Sequence, residues 1–282
     1  MSYQICTLTT ASPAIYGELQ HLWQCCFGDS ELFIHTFFAM QVEPDNVLVA
    51  MDLRRVVGAV YMLPASYGLP GDGRAAYYAY ALAVLPEYRA RGIGRVLMNA
   101  VFARCRAEGA VCVLKPASEG LAQYYEGLGM KRGFRQKTVA FPAERRVPGV
   151  MFGLCTPEEY KRLRDAHFSD FGKMIVWSDA TVRFAVQDAR SSGGWCIRIR
   201  FVGEDVDYAA ICRPEGRTLF VDETTLPENR LGALSEWAMI HSLTVVRCVV
   251  PPGGTLYGTE ITAGMIWNDR PDPTAYLGLT LG

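Results

Sequence analysis

The sequence lacks an uninterrupted apolar run of the roughly 18–20 residues that a membrane-crossing helix needs, so no membrane span is expected. Residues 1–10 lack a basic segment followed by an apolar one, so no signal peptide is expected and a cytoplasmic location is. Charge of one sign is not in excess: 28 Lys and Arg face 29 Asp and Glu, a net charge of −1. No global field then draws the chain to nucleic acid or to an anionic membrane. Cys-x-x-Cys pairs are missing, and the nine cysteines, an odd number, are scattered. Cys25 and Cys26 are adjacent, which is poor geometry for an ordinary bridge. Reduced, mostly buried thiols are therefore expected. No metal-ligand spacing appears, and no metal is expected. Neither a Gly-x-Ser-x-Gly nor a Ser-His-Asp arrangement is visible. His21, His35, His167 and His241 each fall in a helical pattern and read as structural.

What is present is a globular composition, 50% hydrophobic and 20% charged, in 282 residues. That length holds one large domain or two of about 140 residues, each able to bury a core. Residues 13–27 place Ile15, Leu19, Leu22 and Trp23 at helical spacing. Ser30 is placed to cap a second helix carrying Phe33, Phe37, Phe38 and Met40. Residues 47–51 and 57–63 read as a hairpin around a polar turn at 52–55. A strand over 76–85 ends at Pro86. A helix over 92–108 follows, with Val96, Leu97, Ala100, Val101 and Cys105 on one face and Gly109 as its C-cap. A strand at 110–114, a short helix at 119–128 and a strand at 134–141 complete this half.

The second half repeats the order. Helices are expected at 157–167, at 179–189 behind a Ser178 cap, and at 230–241. Strands are expected at 195–201, 208–213, 218–222, 244–250 and 275–281. The pair Pro86-Glu87 returns as Pro227-Glu228, and Gly129-Met130 returns as Gly264-Met265. Self-similarity at this period points to a duplicated α/β domain, with residues 1–141 and 150–282 joined by the Pro-containing link 142–149.

The informative segment runs from Pro86 to Arg95 and reads Pro-Glu-Tyr-Arg-Ala-Arg-Gly-Ile-Gly-Arg. It lies between a strand and a helix. Gly92 and Gly94 let the backbone approach a ligand with no Cβ in the way. The free N–H groups and the dipole of the helix start favour an anion. Arg89, Arg91 and Arg95 add positive charge, so the segment suits a pyrophosphate.

This segment resembles the GNAT superfamily of N-acetyltransferases, whose signature is Arg/Gln-x-x-Gly-x-Gly/Ala; Arg89–Gly94 fits it. A second block, residues 118–130, is similar to the family's short helix, its tyrosine and the Leu-Gly-Phe that opens the last strands. The resemblance covers about residues 5–141. It implies an α/β (α+β) fold of tandem GNAT-like domains. Each would be a mixed, mainly antiparallel sheet flanked by helices, with a splayed central strand pair. It implies acetyl-CoA as cosubstrate. Backbone groups of Leu82, Ala83 and Val84 would hold the pantetheine arm, and the loop with Arg89, Arg91, Gly92, Ile93, Gly94 and Arg95 would hold the pyrophosphate. Tyr125 matches the tyrosine that protonates the leaving thiolate, Tyr124 is expected in the core, and Ser118 stands where many members carry an Asn that bonds the cofactor.

Two departures stand out. Many members have an acidic residue on the strand before the loop, acting as general base; residues 76–85 contain no Asp or Glu. Asp72 and Glu119 are the candidates nearby in sequence. Tyr61, Tyr67, Tyr77, Tyr78 and Tyr80 either line an acceptor pocket or are ordinary strand residues. In the second half, residues 227–233 keep one glycine and lack the second arginine before it, so this half is expected to have lost the cofactor. The expected function is acetyl transfer from acetyl-CoA to a primary amine, on a small molecule or a peptide. A non-catalytic acyl-CoA sensor and a transferase of longer acyl groups are the alternatives. The sequence does not fix the oligomeric state.

Overall fold

The structure, a computed structural model, describes residues 3–10, 15–144, 146–169, 172–272, 274–279 and 281. The chain forms two compact units that interleave in sequence. Unit 1 comprises Met1–Tyr67, Arg74–Arg132 and Met265–Pro271; unit 2 comprises Gly68–Gly73, Gly133–Gly264 and Asp272–Gly282. The expected division at 141–150 follows the repeat of elements instead.

Unit 1 runs β1 (Gln4–Thr7), α1 (Ile15–Phe27), α2 (Glu31–Gln41), β2 (Val47–Asp52), β3 (Arg55–Gly68), β4 (Arg74–Val84), α3 (Ile93–Ala107), β5 (Val111–Leu114) and α4 (Glu119–Glu126). The expected start of α1 at Pro13 lies outside the described residues. Ser30 caps α2 by accepting from the Phe33 N–H at 3.2 Å. The sheet order is β1-β2-β3-β4-β5; β4 and β5 are parallel and the other pairs antiparallel. Residues 265–267 add an antiparallel strand beside β5. Helix α3 buries Leu97, Met98, Val101, Phe102 and Cys105 against Leu48, Val60 and Met62 of the sheet. Val96, expected on that face, is 42% exposed. The buried stripe follows the 97/101/105 and 98/102 rows, and Val96 falls one helical step outside it.

Unit 2 contains β6 (Lys131–Pro142, from Gly133 on), β7 (Val150–Leu154), α5 (Pro157–Phe168), β8 (Met174–Trp177), α6 (Asp179–Ser191), β9 (Trp195–Phe201), β10 (Asp207–Glu215), β11 (Thr218–Thr224), α7 (Ala233–Ile240) and β12 (Val245–Val250), then β13 (Thr259–Trp267) up to Gly264. Its strand order β6-β12-β11-β10-β9-β7 has one parallel pair, β11 with β12. The run β10-β11-β12 thus repeats the pairing of β3-β4-β5. Thr156 and Glu159 form a reciprocal capping box at the start of α5, and Ser178 caps α6.

One strand expectation fails. Residues 275–279 are buried, yet they are irregular apart from a bridge of Tyr276 to Met174. Gly278 takes φ +56°, which breaks an extended run, and Thr280 lies outside the described residues. The strand of this region is β13, and Gly264-Met265 sits inside it. The apolar segment 275–279 covers a buried polar cluster. Arg164 donates to Glu223 at 2.8 Å, Tyr160 donates to the same carboxylate at 2.5 Å, and the Leu279 N–H donates to it at 3.1 Å. Arg164 and Glu223 are both fully buried.

Candidate active site

Strand β4 changes character halfway along. Its first residues pair with β5 in parallel, Ala76 with Val111, Tyr77 with Cys112 and Tyr78 with Val113, and there the pairing stops. On its other edge β4 pairs with β3 as Tyr80 with Tyr61 and Ala83 with Ala59, so Ala81 and Leu82 together face Val60. This is a β-bulge, and Ala81 adopts φ +49° to make it. Bulge and lost pairing open a wedge between β4 and β5, in which the backbone of Leu82 lies outside both ladders. Ala83 and Val84 return to pairing with β3. The Val84 carbonyl already accepts from Arg89 Nε at 3.3 Å and from the Cys26 thiol at 3.4 Å. Of the three expected pantetheine contacts, Leu82 has the backbone groups most open to a ligand.

The loop after β4 ends at Gly92, which takes φ +79° and heads α3 with no side-chain cap. The first intrahelical donor is Val96, bonded to the Gly92 carbonyl at 3.1 Å. The N–H groups of Ile93, Gly94 and Arg95 precede it and face outward at the positive end of the helix dipole. Such an end accepts phosphate oxygens. A Cβ on Gly94 would stand 3.1 Å from the Tyr124 hydroxyl, so the missing side chain is what lets that tyrosine approach. The arginines divide their work. Arg89 is turned back onto Val84 and Cys26, and Arg91 stacks on Tyr88 at 4.8 Å while donating to the Glu87 carbonyl. Arg95 is exposed, makes no hydrogen bond among the described residues and lies within electrostatic reach of Tyr124.

Gly58 seats this helix end. A Cβ there would meet the Ala83 carbonyl at 2.9 Å, Ile93 at 3.1 Å and Leu97 at 3.2 Å. Gly58→Val is expected to destabilise unit 1 by about 1–3 kcal/mol through overpacking. It is also expected to weaken the binding of an anion at the start of α3, because that helix end must move. Thermal unfolding and calorimetric titration check the two effects.

Helix α4 brings a tyrosine pair to the wedge. Tyr125 is buried, 7% exposed, and Tyr78 and Cys112 lie within electrostatic reach of it. Tyr78 is the last residue of β4 paired with β5, so the Tyr125 phenol stands at the apex of the wedge. Burial pushes its pKa well above the ordinary tyrosine value, so the proton stays on. No hydrogen bond reaches its hydroxyl from the described residues. Tyr124, expected in the core, is instead half-buried above Gly94. Ala122 and Tyr125 take the inward face of α4 and leave Tyr124 at the rim. Ser118 caps α4, its oxygen accepting from the Leu121 N–H at 3.2 Å. Its hydroxyl proton remains free for another acceptor.

The candidate bases fare poorly. Both Glu119 oxygens bind Arg132, at 2.5 and 3.0 Å, and this pairing holds the carboxyl below its ordinary pKa. Asp72 belongs to unit 2. Among the tyrosines considered for the acceptor, Tyr61, Tyr67 and Tyr78 are buried core. Tyr77 and Tyr80 are half-exposed, and Tyr77 donates to Glu108 at 2.6 Å. A separate cavity of about 590 Å³, lined by Glu18, His21, Asp52, Arg54 and Tyr88 among others, includes none of the wedge residues.

Unit 2 repeats the wedge and closes it. Strands β11 and β12 pair only as far as Val221 with Cys248. The space beyond is a cavity of about 80 Å³ lined by Thr224, Leu226, Glu228, Val250 and Gly253 among others. The Glu228 carboxylate takes the buried Lys137 ammonium at 2.7 Å and the N–H groups of Thr255 and Leu256 at 2.7 and 3.2 Å. Lys137 also donates to the Gly253 and Leu256 carbonyls. Gly232, at the start of α7, is right-handed; the Leu231 N–H donates to the Glu228 carbonyl of a preceding 3₁₀ turn, and the Leu234 N–H donates to the Leu231 carbonyl. Arg230 is held by Glu204 at 2.6 Å and packed on Phe201 at 4.6 Å. The cation and the space that unit 1 leaves open are occupied here by the chain itself, and the Leu231, Leu234 and Ser235 N–H groups are bonded to its carbonyls.

Among the described residues, no helix is long and apolar enough to cross a membrane, and no three His, Cys, Asp or Glu side chains are grouped to hold a metal. Among curated proteins, none matches the sequence closely enough to count as a relative. The Acetyltransferase (GNAT) domain family matches residues 7–132. Solved structures share the fold at low identity. A GCN5-related N-acetyltransferase from Kribbella flavida aligns over 94% of this chain and 70% of its own, with TM-score 0.71 and 16% identity. A probable N-acyltransferase from Enterococcus faecalis V583 aligns over 94% and 72%, with TM-score 0.73 and 14% identity. A tandem GNAT protein from the clavulanic acid biosynthesis pathway aligns over 96% and 100%, with TM-score 0.57 and 14% identity. The chain thus has the GNAT fold, and its residues 7–132 match the acetyltransferase domain of that family.

Proposed function

We propose that unit 1 moves the acetyl group of acetyl-CoA to a primary amine by direct transfer, and that unit 2 is a GNAT-like repeat that has lost the cosubstrate. The observation that carries this is the open wedge between β4 and β5, with a glycine-capped helix start at one end and a protonated Tyr125 at its apex. In this reading the Leu82 backbone receives the pantetheine arm, with Ala83 and Val84 beside it. The N–H groups of Gly92–Arg95 receive the pyrophosphate, with Arg91 and Arg95 at the rim. Arg89 acts by holding the end of β4, and Ser118 by fixing α4.

The neutral amine attacks the thioester carbonyl carbon. A C–N bond forms, the C–S bond breaks, and the sulfur takes the Tyr125 proton as it leaves. The new amide nitrogen gives up its extra proton to water, which restores the proton balance once Tyr125 is reprotonated. The enzyme is read as working without a metal, and its acceptor as a small molecule or a peptide. The expected cytoplasmic location belongs to the same reading.

One observation favours a non-catalytic acyl-CoA sensor: β4 carries no acid, and Glu119 is committed to Arg132. Release of free CoA over a panel of amines separates the two. Turnover on any amine supports the transferase; binding of acetyl-CoA with no turnover across the panel supports the sensor.

A further inference from the structure

Strand β7 ends the strand order of unit 2: it pairs with β9 and, among the described residues, with no strand beyond. Its ladder to β9 is fixed at both ends. The Val202 N–H donates to the Gly149 carbonyl at 2.8 Å, and the Cys155 N–H donates to the Cys196 carbonyl at 2.9 Å. Bonded and non-bonded pairs alternate along an antiparallel ladder, so Met151 and Gly153 also turn their backbone groups to β9. Val150, Phe152 and Leu154 turn theirs the other way. The N–H and C=O groups of these residues have no partner among the described residues.

An edge left open in this way is normally guarded by a charge, a proline or a bulge. The strand reads Val-Met-Phe-Gly-Leu, with neither charge nor proline, and its register with β9 runs without a break. Two of its apolar side chains are exposed, Met151 at 48% and Leu154 at 71%. Unpaired backbone groups beside exposed apolar side chains form a template for another strand.

The strand is complementary to itself. Turned antiparallel about Phe152, a second β7 sets Val150 opposite Leu154 and Phe152 opposite its own counterpart. Each of the three pairs exchanges two bonds, six in all, which satisfies every outward group on both copies. The flanking charges agree with that direction. Arg146, before the strand, is exposed and has no ion pair among the described residues; Glu158, after it, is exposed at the start of α5 although it meets Arg183. Antiparallel pairing brings the basic end of one copy toward the acidic end of the other, whereas parallel pairing brings like charges together. Pro148, which has no N–H, and helix α5 from Pro157 end the run on either side.

We propose that the chain forms a two-fold dimer in which β7 of one copy pairs antiparallel with β7 of the other. The pairing uses the same edge on each copy, so assembly through it closes at two. It stands apart from the acetyltransferase reading, since no residue of the wedge takes part.

The test is sedimentation of the full chain over roughly 1–200 µM, a range suited to a small interface, together with amide hydrogen exchange read by NMR at both ends of that range. The expected mass at the upper end is twice the chain mass of 31.2 kDa. The Val150, Phe152 and Leu154 amides gain protection as the dimer forms, whereas β9 protects the Met151 and Gly153 amides throughout. Leu154→Pro removes an outward N–H and no bond to β9. It lowers the association constant about tenfold or more, because two of the six bonds are lost. Leu154→Lys keeps the N–H, sets a charge on the edge and is expected to weaken the dimer likewise. The thermal midpoint of the dilute Lys variant stays at the wild-type value. A chain that is monomeric throughout overturns the proposal. Free exchange of the three amides then leaves the edge to a different partner, and protection at every dilution means that the chain covers its own edge. Masses that grow beyond two copies, or a dimer indifferent to both variants, overturn it as well.

Discussion

Tyr125→Phe lowers kcat for amine acetylation by about 10²-fold or more, while the Kd for acetyl-CoA stays within about twofold. The hydroxyl is buried at the apex of the wedge and unbonded to the described residues, so its removal costs little in folding. Its loss leaves the departing thiolate without a donor. Tyr124→Phe, one residue away, is expected to act on binding instead, because that hydroxyl lies over Gly94 at the start of α3. The pH profile adds a sign. Burial raises the Tyr125 pKa, so the donor keeps its proton as the pH rises, and turnover should not decline near pH 10, about where an ordinary tyrosine ionises. Stopped-flow thiol detection measures each effect. A Tyr125→Phe enzyme with wild-type kcat, beside a Tyr124→Phe enzyme that loses kcat, would transfer the role to the neighbour.

Glu223→Ala lowers the stability of unit 2 by about 3–5 kcal/mol, because it leaves the Arg164 guanidinium buried without its counter-charge. The same change strips the Leu279 N–H and the Tyr160 hydroxyl of their acceptor, so the segment 275–279 loosens with it. At about 2–4 °C per kcal/mol for a unit of this size, the thermal midpoint falls by roughly 10 °C. The double variant Glu223→Leu/Arg164→Met should recover much of that loss, since an apolar pair needs no desolvation of charge. If Glu223→Ala melts like the wild type, the buried pair contributes nothing to holding the C-terminal segment.

Several of these features were legible in the sequence because they rest on local chemistry. Gly92 and Gly94 between a strand and a helix, and the caps Ser30 and Ser178, are short-range signals with one structural meaning. The closing of unit 2 was half legible: the missing glycine and arginine showed, but Lys137 and the loop at 253–256 are distant from Glu228 in sequence. The bulge was not legible, since Ala81 at φ +49° is a residue that normally avoids that region, and only the register with β3 exposes it. The order of Tyr124 and Tyr125 turned on the rotation of a two-turn helix, which two adjacent aromatics do not fix. The segment 275–281 misled because burial without pairing has the same apolar signature as a strand.

The claim that one open wedge serves the whole chain is tested most directly by calorimetric titration with acetyl-CoA, comparing wild type with Gly92→Val. Valine is disfavoured by roughly 1–2 kcal/mol in the left-handed conformation that Gly92 adopts, so the donors at the start of α3 shift. The account predicts a single binding event per chain, weakened about tenfold or more by Gly92→Val. Two binding events, or a single one that Gly92→Val leaves unchanged, would contradict it.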